Sequence, residues 1–350
     1  MTSVCLISPY PHKGLPSGAR HRATQLALAF SRMRAVTVSC ISPWPVGPEV
    51  HHVYESMEGS ALERLNAYVR ISRVVRKLVP DLILSESPIP LLAPSGTKVL
   101  QVIHDTKSTT EFARRSQRLA FIAQTISIKW AHTLMTVSEA EKRTIAARFG
   151  VDSSRIIVSS NGISDRWLEG WSIEPQDLYY DVLYVSNFAP HKGHMDLLKA
   201  LVGTGYRIAL VGVDMGERER CRKFSLANDI CIEFFAGLSE EELVALYDRS
   251  RAFAFPSKLE GFGIPFVEAR ARGLPVVAND IPVFREISER FGGNVVDFGN
   301  TLMARRAIDF AVAAGRSFPR NLMDLRWDAI ASKLGQDCGI LPTSGGGFGH

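Results

Sequence analysis

Ala252-Phe253-Ala254-Phe255-Pro256-Ser257-Lys258-Leu259-Glu260-Gly261-Phe262-Gly263-Ile264-Pro265-Phe266-Val267-Glu268-Ala269 is the most informative stretch of this 350-residue chain. An apolar run ends at Phe255, a glycine turn follows, and a helical pattern opens behind it. The Gly-Phe-Gly turn allows a close approach of backbone to ligand, because glycine lacks a Cβ and tolerates positive φ. Pro265 suits the first position of a helix, where its missing N–H leaves nothing unsatisfied. A helix N-terminus behind such a turn presents free N–H groups and the positive end of the helix dipole, which suits a diphosphate. Glu268 is expected in the first turn of this helix, with Glu260 on the loop before it. A further apolar run at 275–278 completes a strand–helix–strand unit.

The same alternation runs outward in both directions. Apolar, β-branched runs at 4–8, 35–42, 81–85, 98–104, 133–137 and 155–159 read as strands, as do 181–185, 207–211, 231–235, 252–255, 275–278 and 294–297. Their near-continuous hydrophobicity suits parallel strands covered on both faces. Helical patterns lie between them. Ser138 with Glu141, and Ser239 with Glu242, have the spacing of capping boxes. Repeated strand–helix alternation implies right-handed crossovers and an α/β fold of two facing Rossmann-like domains, with parallel sheets and a cleft between the domains. The expected division is 1–165 for an N-terminal domain and 166–320 for a C-terminal domain that carries the glycine turn. A helix at 321–338 is expected to return toward the first domain, and 339–350 to form a disordered tail.

Composition narrows the class. Hydrophobic residues make up 46% and charged residues 22%, an ordinary globular balance. No apolar run approaches the ~20 residues of a membrane span, and the start shows no basic leader, so a cytoplasmic protein is expected. The five cysteines are scattered and never spaced as C-x-x-C, which points away from zinc and disulfide frameworks. The net charge of +5 is uneven: the first 170 residues hold 21 Lys and Arg against 13 Asp and Glu, net +8, leaving −3 for the remainder. A basic first half favours an anionic partner. Two basic, apolar stretches, 62–79 and 112–131, could lie on anionic lipid at the inner face of a membrane; ordinary amphipathic packing is the plainer alternative. Exposed aromatics do not interleave with these basic residues, so no nucleic acid partner is expected.

Three further loops follow strand runs. Tyr184-Val185-Ser186-Asn187-Phe188-Ala189-Pro190-His191-Lys192-Gly193 places a lysine where a fixed ammonium could meet an anion; a solvated loop lysine is the alternative. Val102-Ile103-His104-Asp105 sets a histidine at a strand's carboxyl end, where open α/β sheets hold ligands. Pro9-Tyr10-Pro11-His12-Lys13-Gly14-Leu15-Pro16-Ser17-Gly18 precedes an amphipathic helix. Neither a dinucleotide fingerprint nor a P-loop occurs. His191 and His194 bracket Lys192 without an acidic cluster, so no metal site is expected.

Glu260-Gly261-Phe262-Gly263 through Glu268, then Gly273-Leu274-Pro275-Val276-Val277-Ala278, resembles the signature of the retaining GT-B glycosyltransferases of family 4. The resemblance extends over the lysine loop, over Val137-Ser138 and Arg155 to Ile163, and over Arg326-Trp327-Asp328. It implies a retaining enzyme that moves a hexose from GDP-mannose or a UDP-sugar to a glycan or a polyprenyl-diphosphate-linked saccharide, in cell-surface or exopolysaccharide synthesis. It implies no cofactor and metal-independent catalysis by same-face substitution. Glu268 would bind ribose hydroxyls, while Glu260 and the backbone of Gly261, Phe262, Gly263 and Ile264 would hold the donor sugar. Lys192 would neutralise the leaving diphosphate, His104 would sit beside the donor sugar, and Gly18 would belong to the loop facing the phosphates. Asn187 stands where many members carry an arginine, and Arg20 and Arg22 are candidates to supply that charge. A sugar-nucleotide epimerase or phosphorylase on the same fold, and a non-catalytic nucleotide-sugar-binding subunit, remain as alternatives.

Overall fold

The structure, a computed structural model, describes residues 1–9, 18–86, 93–106, 122, 125–129, 131–169 and 177–342. They form two compact units, Met1–Gly162 with Trp327–His350, and Ile163–Arg326. The first unit is a seven-stranded sheet of β1 (Thr2–Ile7), β2 (Val36–Ser42), β3 (His51–Tyr54), β4 (Leu82–Ser85), β5 (Lys98–Ile103), β6 (Thr133–Thr136) and β7 (Ile156–Val158). The order is β3-β2-β1-β4-β5-β6-β7, and every neighbouring pair is parallel. The edge strand β3 was not expected. His51-His52-Val53-Tyr54 has no fully buried residue, only Val53 packing against the core, and it becomes a strand through backbone pairing with β2.

Helices α1 (Gly18–Ser31), α2 (Ala61–Leu78) and α3 (Glu139–Phe149) cover this sheet. Ala67, Ile71 and Val75 of α2 recur at helical spacing and pack on Cys5, Ile7, Ile41 and Ile83 of the strands. Ile145 and Phe149 of α3 pack on Ile103, Leu134 and Ile156. Each such burial is worth about 1.5–3 kcal/mol, which holds short helices that would be marginal alone.

The second unit carries α4 (Asp165–Leu168) and a six-stranded sheet of β8 (Tyr180–Val185), β9 (Arg207–Val211), β10 (Cys231–Phe235), β11 (Ser250–Phe255), β12 (Val276–Asn279) and β13 (Asn294–Val296). Its order is β10-β9-β8-β11-β12-β13, again parallel throughout. Between strands lie α5 (His194–Leu201), α6 (Arg218–Ala227), α7 (Glu240–Asp248), α8 (Ile264–Ala271), α9 (Pro282–Phe291) and α10 (Thr301–Ala313). Its core is aromatic: Tyr184, Tyr247, Phe253, Phe255, Phe266 and Phe284 are all fully buried. Two guanidinium groups, Arg272 buried and Arg316 half-buried, tie this unit together. Arg272 is paired bidentately with Asp248 at 2.7 Å on both sides, and Arg316 donates to the carbonyls of Tyr247, Asp248 and Ser250. The chain then re-enters the first unit through α11 (Trp327–Asp337), where Asp328 pairs with Arg32, the residue after α1.

The parallel α/β character expected from the sequence is borne out in both units. One local expectation changes. Ser239 and Glu242 form a reciprocal capping box, but at α3 only half of the box exists. Ser138 accepts from the Glu141 N–H, while the Glu141 carboxyl is buried beside Thr106 and pushed up to about 7 by that burial. An unforeseen reciprocal box, Ser60 with Glu63, opens α2.

Candidate functional site

In the second unit the site grows from two loops that leave neighbouring strands. After β8 the chain passes Asn187, makes a short 3-10 turn at Pro190–Lys192 and enters α5 through Gly193. Tyr184 Oη donates to the Lys192 carbonyl at 2.7 Å, which ties the turn to the buried end of β8. Gly193 is required: its φ is +70°, and a Cβ there would lie 2.3 Å from the Pro256 carbonyl oxygen of the next loop. The Lys258 N–H donates to the His191 carbonyl at 2.8 Å, so the two loops are joined by backbone as well.

That close approach sets the side chains. Lys192 Nζ donates to Glu260 Oε1 at 2.6 Å, with the two side chains 18% and 15% exposed. Gly263 caps α8 with φ +96°, and a Cβ there would meet the Phe284 ring at 2.8 Å. Gly261, Phe262, Gly263 and Ile264 therefore lead directly into the N-terminus of α8, with Phe262 buried. Ile264 occupies the first helical position and Pro265 the second. Glu268 was expected in the first turn of this helix but lies one turn further along, because the helix begins at Ile264. Its Oε2 accepts from Tyr247 Oη at 3.1 Å. Burial pushes its carboxyl up to about 8, with the Glu240 charge acting in the same direction. Asn187 turns its Oδ1 toward the Val213 N–H at 3.2 Å. His194, the first residue of α5, is stacked on Phe188 at 4.4 Å and buried beneath the lysine turn.

In the first unit Gly18 is the first residue of α1, and the rest of its loop lies outside the described residues. His104 follows β5, and its Nε2 lies 2.8 Å from Glu86 Oε1. Arg22 is fully buried and donates to the Ser160 carbonyl, Asn161 Oδ1 and Ser159 Oγ at 2.6, 2.9 and 2.9 Å. Burial lowers it to about 10, and its Nε is buried without a hydrogen-bond partner. Arg20 lies over the Trp44 ring at 5.1 Å. Among the described residues no group of three His, Cys, Asp or Glu is placed to hold a metal ion.

The structure thus brings Lys192 and Glu260 into contact and sets Glu268 on the adjoining helix, with His104 and Gly18 in the other unit. Sequence reasoning missed Glu86 and Tyr247. Glu86 was within reach, since it immediately follows a strand run, where open α/β sheets place polar groups. Tyr247 gave no signal, because its contact with Glu268 depends on how α7 packs.

Two sequence models of known families cover most of the chain: Glycosyltransferase Family 4 over residues 16–167 and Glycosyl transferases group 1 over residues 165–321. The chain belongs to the family 4 glycosyltransferases. Among curated proteins this family 4 member is similar to the serotype-specific mannosyltransferase WbdA of Escherichia coli, 37% identical over 115 residues, which are 31% of this chain and 14% of that protein. It is also similar to the O-antigen chain mannosyltransferase RfbU of Salmonella typhimurium, 31% identical over 166 residues, 46% of each. The matches thus span less than half the length of these relatives. Among solved structures, Anabaena Alr3699/HepE in complex with UDP-glucose superposes with a TM-score of 0.69 at 17% identity, covering 97% of this chain and 99% of that one. At that identity the likeness establishes the shared GT-B fold.

Proposed function

We propose that this chain transfers a hexose from a nucleoside diphosphate sugar to a glycan or lipid-linked saccharide, with retention of configuration. The observation that carries the reading is the Lys192–Glu260 contact of 2.6 Å beside the glycine-led N-terminus of α8. Departure of a nucleoside diphosphate builds negative charge. A fixed ammonium and a helix N-terminus stabilise that charge without reorganising, which is the general source of such rate gains. Lys192 meets the departing diphosphate, and Glu260, oriented by Lys192, accepts from hydroxyls of the donor sugar. Glu268 faces the ribose hydroxyls, held by Tyr247. The leaving phosphate oxygen takes the proton of the acceptor hydroxyl, so no separate protein base and no metal ion is invoked. The two curated relatives described above are mannosyltransferases by name, which favours GDP-mannose; the UDP-glucose complex of HepE keeps a UDP-sugar as the other candidate.

The test is nucleoside diphosphate release from GDP-mannose and from UDP-sugars, with and without saccharide acceptors, paired with thermal shifts of wild type and Glu268→Ala. Acceptor-dependent release, with stabilisation by one nucleotide series that the variant lacks, supports the reading. Turnover without acceptor would indicate an epimerase, and dependence on inorganic phosphate a phosphorylase. Binding without any turnover would indicate a binding subunit, and no nucleotide response at all would remove the donor site.

A lipid-linked acceptor also accounts for one surface. Leu62, Leu65 and Val69 of α2 are exposed at helical spacing, followed on the same side by exposed Arg73 and Arg76. We infer that this face meets anionic lipid; the other basic stretch, 112–131, lies largely outside the described residues. No helix among the described residues is long and apolar enough to cross a membrane. Flotation with phosphatidylglycerol vesicles, but not with phosphatidylcholine vesicles, is expected, and Leu62→Ser with Leu65→Ser is expected to abolish it.

A further inference from the structure

Three strand ends of the first sheet converge on one carboxylate. In the β1–β4 register Ile7 faces Ser85, so Ser8 and Glu86 emerge side by side at the carboxyl end. The Glu86 N–H donates to the Ile7 carbonyl at 2.9 Å, which fixes the backbone there. Ser8 Oγ donates to Glu86 Oε2, while Glu86 Oε1 lies 2.8 Å from His104 Nε2 beyond β5. Arg22 shares the space: Ser8, Arg22 and Glu86 line one cavity of about 10 Å³. The Glu86 side chain is 11% exposed and that of His104 25%.

The hydrogen-bond inventory then determines the roles. An ionised carboxylate only accepts, and here each oxygen has a donor available. With Glu86 accepting, the hydrogen of a neutral imidazole must sit on Nε2, and Nδ1 keeps its lone pair. The ring is oriented by a carboxylate in the way histidines of other functional sites are held by an outer partner.

We propose that Glu86 is the positioning residue for His104: anchored by Ser8, it fixes the Nε2–H tautomer and leaves Nδ1 to accept from a sugar hydroxyl. This rests on the reading of His104 as a donor-side residue. Glu86 touches no substrate itself. It sets which ring nitrogen can.

The test is a long-range ¹H–¹⁵N imidazole spectrum of the full chain, with the His104 signal identified by its loss in His104→Asn. Wild type is expected to show the Nε2–H tautomer. Glu86→Ala is expected to shift His104 toward a mixture of tautomers, whereas Glu86→Gln retains Nε2–H through its amide oxygen. In turnover, Glu86→Ala is expected to lower kcat about 10- to 100-fold, the range seen when the outer partner of a metal-bound histidine is removed. The donor KM should move far less, and Glu86→Gln should restore most of kcat. Should Glu86→Ala fail to fold, Ser8→Ala, which removes only the anchor, serves in its place and is expected to loosen the tautomer preference. An Nδ1–H tautomer in wild type overturns the proposal, as does a Glu86→Ala, or in its place a Ser8→Ala, that leaves tautomer and kcat unchanged. A wild type that binds no nucleotide would instead sink the donor reading, while the imidazole spectrum would still decide the tautomer.

Discussion

Both sheets are parallel and both carry polar side chains past the carboxyl ends of their strands, yet they assemble them by different routes. In the second unit Lys192 and Glu260 come from loops after β8 and β11, adjacent strands, and the glycine at 193 makes the close approach possible. The chemistry there is contained in contiguous motifs. In the first unit the cluster takes one residue from each of three strand ends, Ser8, Glu86 and His104, and none of the three forms a motif with another. The second unit is built on charge pairing, Lys192 with Glu260 and Arg272 with Asp248, whereas Arg22 of the first unit donates to neutral oxygens. A local motif tolerates drift elsewhere in its sheet, while a cluster made by register does not.

The largest expected effect tests that difference in the buried arginines. Arg272→Leu strands Asp248 without its cation and should cost about 3–5 kcal/mol of stability. Arg22→Leu leaves neutral groups unsatisfied, each worth about 1–3 kcal/mol. Urea unfolding checks the contrast: adding Asp248→Leu to Arg272→Leu should recover most of that loss, and a double variant as unstable as the single one would break it. Next, Lys192→Ala is expected to lower kcat about 10²- to 10³-fold, the scale for removing one preorganised charge-stabilising group. Steady-state kinetics decide it, and an unchanged kcat would return Lys192 to the status of a loop lysine.

Two smaller effects are expected in pH dependence, with opposite signs. Folded Glu268 keeps its proton up to about 8, against 4.5 for an ordinary glutamate. Between those values the native state binds the extra proton, so stability falls as pH rises from 4.5 toward 8 and levels off above that. Glu268→Gln should remove this slope and gain stability over wild type across that window, read from melting temperatures at a series of pH values. Folded His194 is held neutral down to about 3, chiefly by burial and then by the Lys192 charge, against an ordinary 6.5. Neither ring nitrogen has a partner in hydrogen-bonding geometry, although the Ser186 backbone is close enough to oppose the shift. Here the unfolded state takes the proton first, so stability is lost as pH falls from 6.5 toward 3. His194→Phe should flatten that acid limb while changing stability at neutral pH by less than about 1.5 kcal/mol. A variant as acid-sensitive as wild type would show that the loss originates elsewhere.

The fold was legible because strands buried on both faces leave a strong mark: the apolar runs that end at Phe255 and Val185 are hydrophobic at nearly every position. β3 left no such mark, since an edge strand held by backbone pairing needs no particular side chains. The two capping patterns show the same limit. Ser239 and Glu242 close a reciprocal box because both are exposed; at Ser138 the identical spacing gives half a box because Glu141 is buried against Thr106. Spacing states what a helix end can do, and the neighbouring chain decides whether it does.

What the sequence determined alone was everything that depends on near neighbours in the chain: the α/β alternation, the glycine turn into α8, and the lysine and glutamates carried on its motifs. What the tertiary structure decided were the contacts of residues far apart in sequence. Strand register set Glu86 between Ser8 and His104, helix packing set Tyr247 against Glu268, and the chain after β7 gave Arg22 its partners Ser159, Ser160 and Asn161. Periodicity and propensity act over a few residues, but the partner of a buried polar group is chosen by whatever the fold brings within 3 Å of it.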